Sequence, residues 1–147
     1  MNIYQATITD LKGVSHLFNL YRIFYKQPSD YEDAESFISD RLKNEESVIF
    51  VAVHEGEYLG FTQLYPSFSS VSMKRTWILN DLYVQEEARK QGIAQALLDK
   101  AKLHAIQSNA KSLELQTAPH NTNAQKLYEK NGYQKDTSFL NYSLNLM

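Results

Sequence analysis

Residues 82–98 constrain the fold more than any other stretch. Leu82-Tyr83-Val84 is apolar and β-prone, and Gln85-Glu86-Glu87 is polar. Gly92 is then followed by Ala94, Leu97, Leu98, Ala101 and Ala105 at helical spacing. The pattern predicts a strand, a glycine turn and a helix from about Gly92 to Ser108. A further strand is expected from Ser112 to Thr117. Two strands joined through a helix lie parallel, so the chain must contain a parallel crossover.

The segments before it predict a different arrangement. Ile3 to Ile8 reads as a first strand, with Thr9 and Asp10 as N-cap residues for a helix carrying Leu11, Val14, Leu17, Phe18 and Tyr21. Gln27-Pro28-Ser29-Asp30 breaks that helix, and Ala34, Phe37, Ile38 and Leu42 mark one face of a second. Val48–Val53, Tyr58–Tyr65 and Met73–Val84 predict an antiparallel meander, with turns at Glu55-Gly56-Glu57 and Pro66–Ser70. A short helix is expected over Thr122–Asn131, stopped by Gly132. Leu140, Tyr142, Leu144 and Leu146 alternate as in a last strand. The expected order is β-α-α-β-β-β-α-β-α-β. It predicts one α/β (α+β) domain over residues 1–147, with a mixed sheet and flanking helices.

Composition narrows the function classes. The net charge of −2 speaks against broad nucleic-acid binding. No apolar run reaches the roughly 20 residues that span a bilayer, and Met1-Asn2-Ile3-Tyr4-Gln5 has no signal-peptide pattern. The absence of cysteine excludes disulfides and thiolate chemistry and suits a cytoplasmic protein. The four histidines show no metal-ligand spacing, so no metal site is expected.

A helix N-terminus offers unpaired N–H groups and a partial positive charge, which suit a phosphate. Gly92 allows close backbone approach, and Arg89 and Lys90 can add cationic contacts. Neither the Walker ending nor the dinucleotide G-x-G-x-x-G pattern is present. Taken alone, the segment is also compatible with a plain strand-to-helix turn.

Two motifs together carry a family resemblance. Asp81-Leu82-Tyr83-Val84 with Arg89-x-x-Gly92-Ile93-Ala94-x-x-Leu97-Leu98 resembles the first signature of the GCN5-related N-acetyltransferases (GNAT). Asn121-x-x-Ala124-x-x-Leu127-Tyr128-Glu129-x-x-Gly132-Tyr133 resembles the second. The element order matches the GNAT fold end to end. The nearest flavour is that of small-amine or diamine and histone acetyltransferase-like members.

The resemblance implies acetyl-CoA as cofactor. The strand segment Leu82, Tyr83 and Val84 would hold the pantetheine arm, chiefly through Leu82 and Val84. Arg89, Lys90, Gln91, Gly92, Ile93, Ala94 and Gln95 would hold the pyrophosphate. Asn121 would touch the pantetheine, and Tyr128 would contact the cofactor and act as general acid toward the leaving thiolate. Many members carry glycine where this chain has Lys90 and Ala94. Backbone groups do the binding, so both changes are compatible with it.

An alkylammonium with a pKa near about 10.4 costs about 4–5 kcal/mol to deprotonate at pH 7. Asp81 is the expected base; Glu114 and His120 are weaker candidates. Asn80-Asp81 stands where diamine-acetylating members often carry an acidic pair, and here one charge is missing. On the acceptor side, Tyr21, Tyr25 and Tyr31 join Asn80 and Asp81 as expected substrate contacts, because aromatic faces and carboxylates suit a cation. The implied activity is acetyl transfer to a primary amine, with a small molecule such as a polyamine favoured. A protein lysine or N-terminus and a non-catalytic acyl-CoA sensor are the alternatives. A homodimer pairing through the last strand is expected, with no nucleic-acid or membrane partner.

Overall fold

A computed structural model describes residues 1–147 as two compact units, Met1–Gln116 and Thr117–Met147. The first unit contains β1 (Asn2–Gln5), α1 (Leu11–Phe24), α2 (Tyr31–Lys43), β2 (Val48–His54), β3 (Glu57–Ser69), β4 (Lys74–Val84), α3 (Ile93–Gln107) and β5 (Ser112–Glu114). The strands form one sheet in the order β1-β2-β3-β4-β5. The first three pairings are antiparallel, and the pairing of β4 with β5 is parallel, as the crossover through α3 requires. The α/β (α+β) class and the mixed sheet match the expectation.

Each face of the sheet is covered by the helices that the apolar spacing marked. Val14, Leu17 and Phe18 of α1 and Ala34 and Ile38 of α2 pack with Ile49, Val51 and Phe61. On the other face, Ile93, Leu97, Leu98, Ala101 and Ala105 of α3 are buried. There the Trp77 indole N–H donates to Ser108 at 2.8 Å, and its ring lies 4.9 Å from that of His104. The apolar cluster against α1 and α2 stabilises the unit by about 1.5–3 kcal/mol for each fully buried large side chain.

Several boundaries differ from the sequence reading. The first strand stops at Gln5 rather than Ile8, because Thr7 starts a short 3-10 turn. The Thr7 N–H donates to Asp10 Oδ2 at 2.9 Å, and Thr7 Oγ1 accepts from the Thr9 N–H at 3.4 Å. Pro66–Ser69, expected as a connection, belongs to β3, with Pro66 opposite Trp77. β2 pairs with β3 only as far as Leu64, so Pro66 sits where β3 has no neighbour on that side and its missing N–H costs no ladder bond. β5 ends at Glu114 rather than Thr117.

β4 carries one extra residue. Gln63 pairs with Asp81, but Leu64 pairs with Leu79, which leaves Asn80 as the bulge. Paired residues share a face, and side chains alternate along a strand. Leu79 therefore stays on the α3 face with Trp77, while Asp81 and Tyr83 lie on the α1 face with Gln63 and Phe61.

The second unit contains α4 (Thr122–Lys130). Asn121 caps it by accepting the Ala124 N–H on Oδ1 at 3.3 Å, and Gly132 follows with φ of 90°. The expected last strand is absent: residues 133–147 form no helix or strand. Leu140, Tyr142, Leu144 and Leu146 are 81–90% exposed.

Candidate active site

The sheet opens at the C-terminal end of β4. β5 pairs only with Thr76–Ile78, whereas β3 accompanies β4 as far as Val84. The Gln85 N–H bonds Leu59 O on β3 at 2.9 Å. Backbone groups alternate in direction along a strand, so those of Leu82 and Val84 point to the open edge. Arg89 reaches this edge, its Nε donating to Val84 O at 3.0 Å. Its guanidinium lies 5.6 Å from the Phe24 ring centre and 5.8 Å from that of Tyr83.

Beyond the edge comes the glycine turn. Lys90 and Gly92 both adopt left-handed backbone, with φ of 64° and 81°. Gly92 forms the N-cap of α3, and a Cβ placed there meets nothing within 4 Å. The first helical bond runs from the Ala96 N–H to Gly92 O at 3.0 Å. The N–H groups of Ile93 and Ala94 therefore precede it, at the positive end of the helix dipole. Strand groups with no ladder partner, open space over a glycine and a helix N-terminus fit a linear amide chain ending in a pyrophosphate.

On the α1 face lies a buried polar chain. The Ser47 hydroxyl donates to Gln63 Oε1 at 2.7 Å, which turns Gln63 Nε2 toward Asp81 Oδ2 at 2.5 Å. Asn80 Nδ2 donates to Asp81 Oδ1 at 2.7 Å, and the Thr62 hydroxyl donates to Asp81 O at 2.8 Å. Tyr21 donates to Asn80 O at 3.4 Å, and its hydroxyl also abuts the Asp81 carboxylate. Asp81 is 2% exposed. Burial pushes its carboxyl above the ordinary carboxylate range, and the donors from Asn80, Gln63 and Tyr21 offset that only in part. Burial, then the charge of Asp81, raises the Tyr21 phenol and lifts Tyr65 to about 12.

Aromatic rings wall this site. Tyr21 lies 5.0 Å from Tyr25, 5.9 Å from Phe61 and 6.4 Å from Tyr83, all edge-on. Phe24 and Tyr25 are about half exposed. Tyr21, Tyr25, Asn80, Asp81 and Tyr83 thus come together. Tyr31 stands apart: its hydroxyl bonds Glu35 at 2.8 Å and the Lys12 carbonyl at 3.5 Å. Lys12 is nine residues from Tyr21 along α1, or about 13 Å. Gln63, Ser47 and Thr62 escaped the sequence reading, because a glutamine inside an apolar strand gives no sign of what it faces.

In the second unit, Asn121, Ala124 and Tyr128 recur on one helical stripe, all partly buried. The Tyr128 ring lies 5.7 Å from that of Tyr133, whose phenol burial and Tyr128 push up to about 12.

The sequence profile of the Acetyltransferase (GNAT) family matches residues 13–133, across both units. This chain belongs to the GNAT family. It is 55% identical over 146 residues to a protein of Bacillus subtilis (strain 168) described as "Uncharacterized N-acetyltransferase YhfO", covering 99% of this chain and 98% of that one. A "Probable acetyltransferase" of Haemophilus influenzae is 36% identical over 118 residues, covering 78% of this chain and 81% of its own length. A crystal structure of a probable acetyltransferase superposes with a TM-score of 0.95 at 46% identity, covering 100% of this chain and 99% of that one. The protein is an N-acetyltransferase of the GNAT type. No helix in it is long and apolar enough to cross a membrane.

Proposed function

We propose that residues 1–147 act as one acetyltransferase domain that moves an acetyl group from acetyl-CoA directly to a small primary amine. The observation that carries the donor half is the open edge of β4 leading into the glycine turn. Leu82 and Val84 present backbone groups to the pantetheine amides, with Tyr83 on the opposite face of the strand. The N–H groups at the start of α3, around Gly92, Ile93, Ala94 and Gln95, receive the pyrophosphate, and exposed Lys90 adds charge. Arg89 and Gln91 complete the turn, with Arg89 clasping the end of β4. Asn121 spends its carbonyl oxygen on capping α4, so its amide nitrogen is the group offered to the pantetheine. The bound cofactor supplies an acetyl thioester.

On the acceptor side, Tyr21 and Tyr25 present aromatic faces to a cationic amine, Asn80 supplies an oxygen acceptor beneath them, and the Asp81 carboxylate lies buried behind. A single buried carboxylate, rather than a pair, favours an acceptor with one reactive ammonium over a strict diamine preference. Asp81 takes the ammonium proton, and Tyr128 returns one to the departing thiolate.

The test is thiol release from acetyl-CoA against a panel of amines, amino acids and lysine peptides. Small amines should be turned over with higher kcat/KM than peptides. Higher values for peptides would move the assignment to a protein acetyltransferase, and tight cofactor binding without release for any acceptor would make the chain a sensor. Tyr128→Phe should keep acetyl-CoA affinity within about twofold while kcat falls at least about tenfold. An unchanged kcat removes Tyr128 from the chemistry.

The same reading places the enzyme in the cytoplasm, in keeping with its lack of cysteine. It also makes the enzyme a homodimer. Residues 137–147 carry no charge and expose six large apolar side chains at 79–111%. An uncharged, strand-patterned segment left in water invites aggregation, and a second copy of the same chain is the cover that is always available. Sedimentation should show a dimer, and deleting residues 138–147 should leave monomers.

A further inference from the structure

Asp81 poses a problem for any acceptor. At 2% exposure, enclosed by Gln63, Asn80, Thr62 and Tyr21, its carboxylate cannot touch a ligand in the aromatic cleft. Two polar routes lead away from it. One runs through Gln63 to Ser47 and contains a carboxamide, which does not exchange protons readily. The other is the Tyr21 hydroxyl, which sits against the Asp81 carboxylate and the Asn80 carbonyl. Tyr21 is only partly buried, and its ring is fixed among Tyr25, Phe61 and Tyr83.

We propose that Tyr21 is a catalytic residue that relays the acceptor's proton to Asp81, rather than a passive part of the aromatic wall. The relay rests on the reading of Asp81 as proton acceptor made above. The acceptor ammonium gives a proton to the Tyr21 phenolic oxygen while the phenol's own proton passes to an Asp81 oxygen. One N–H bond and one phenolic O–H bond break, and two O–H bonds form. The ammonium becomes a neutral amine, the carboxylate becomes a carboxylic acid, and Tyr21 ends as it began. Asp81 later returns its proton to solvent by the reverse path.

Three features of the surroundings suit this step. Gln63 is oriented by Ser47 so that only its donor faces Asp81, which leaves the carboxylate accepting in the resting state. Two further phenols face the pair: Tyr65 on β3 acts with Asp81, and Tyr25, just past the end of α1, acts on Tyr21; Arg41 on α2 acts on Tyr65. No lysine, arginine or histidine pairs with Asp81, so only its neutral donors oppose protonation, and burial outweighs them. A carboxyl whose affinity for protons is lifted by burial is a better receiver than an exposed one.

The experiment compares wild type, Tyr21→Phe and Asp81→Asn, with primary amines from propylamine to spermidine as acceptors. Each is measured for kcat, both KM values, and rate in mixtures of light and heavy water. Acetyl-CoA binding by calorimetry verifies folding, since Phe keeps every ring contact of Tyr21. Tyr21→Phe should lower kcat at least about tenfold with the acetyl-CoA KM within about twofold. The curved dependence on deuterium fraction expected for two moving protons should become linear. If Asp81→Asn loses activity while Tyr21→Phe changes only the acceptor KM, the relay is wrong and the base assignment stands. If Asp81→Asn keeps wild-type kcat, or wild type turns over none of these amines, the underlying reading fails and the relay with it.

Discussion

Asp10 and Asp81 are both carboxylates buried in the first unit, at 6% and 2% exposure, and their surroundings move them in opposite directions. Burial alone would lift both. At Asp10 the lift is outweighed by Tyr58, the Thr7 N–H and Tyr4, which donate at 2.6, 2.9 and 2.7 Å and hold the carboxyl below the usual range. At Asp81 the donors do not overcome burial, and the carboxyl stays raised. Asp10 ties together β1, the 3-10 turn and β3, with all its partners fixed. Asp81 is held beneath a cleft beside a phenol that can exchange protons. On the proposed reading, the contrast separates a carboxylate built for stability from one kept ready to accept a proton.

Exchanging the two roles by mutation would break the contrast. The largest effect is expected from Asp81→Asn, which should lower kcat/KM by about 10³-fold, or about 4 kcal/mol of transition-state stabilisation. Its Tm should be unchanged or higher, since a raised carboxyl costs stability when ionised. Asp10→Ala should do the reverse. Loss of three hydrogen bonds to one buried charge should cost about 3 kcal/mol in urea unfolding, with kcat near wild type. A large fall in kcat for Asp10→Ala that outlasts correction for the unfolded fraction would merge the two classes. Gly13→Ala should cost about 2 kcal/mol, because the new Cβ would come within 2.4–2.5 Å of the Tyr58 ring that supports Asp10.

The smallest effect is a matter of pH. Asp10, with its pKa lowered in the fold, contributes stability above its unfolded value of about 3.9 and loses it as pH falls through the folded value. Asp81, with its pKa raised, contributes below about 3.9 and loses that contribution as pH rises through its folded value. Relative to wild type, Asp10→Asn should therefore become less destabilising toward pH 2. Asp81→Asn should gain stability relative to wild type as pH rises above about 4. Parallel pH curves for both variants would erase the distinction.

The two halves were not equally legible in the sequence. The turn at Gly92 and the helix stop at Gly132 depend on neighbours a few residues away, so the chain itself announces them. The cluster at Asp10 depends on Tyr58, 48 residues distant, and Asp10 read only as a helix cap. Pro66 read as a break because nothing local reveals that β2 ends before reaching it. The brace of Asp81 by Gln63 depends on register across the sheet, which alternation predicts only if β4 has no extra residue. The alternation of Leu140 to Leu146 read as a strand, but alternation does not name the partner a strand needs, and these side chains stand exposed without one.

The bulge at Asn80 acts on β4 as an inserted base acts on a reading frame. Upstream, the sheet presents Trp77 and Leu79 to α3; downstream, the same parity of residue number faces α1. Were Asn80 to take an ordinary pleat instead of bulging, strand order would survive and yet the carboxylate would turn to the other side of the sheet. Removing Asn80 altogether would leave Asp81 opposite Gln63 on the α1 face. The face that Asp81 occupies is therefore set by the bulge rather than by burial of Asn80, whose side chain is exposed.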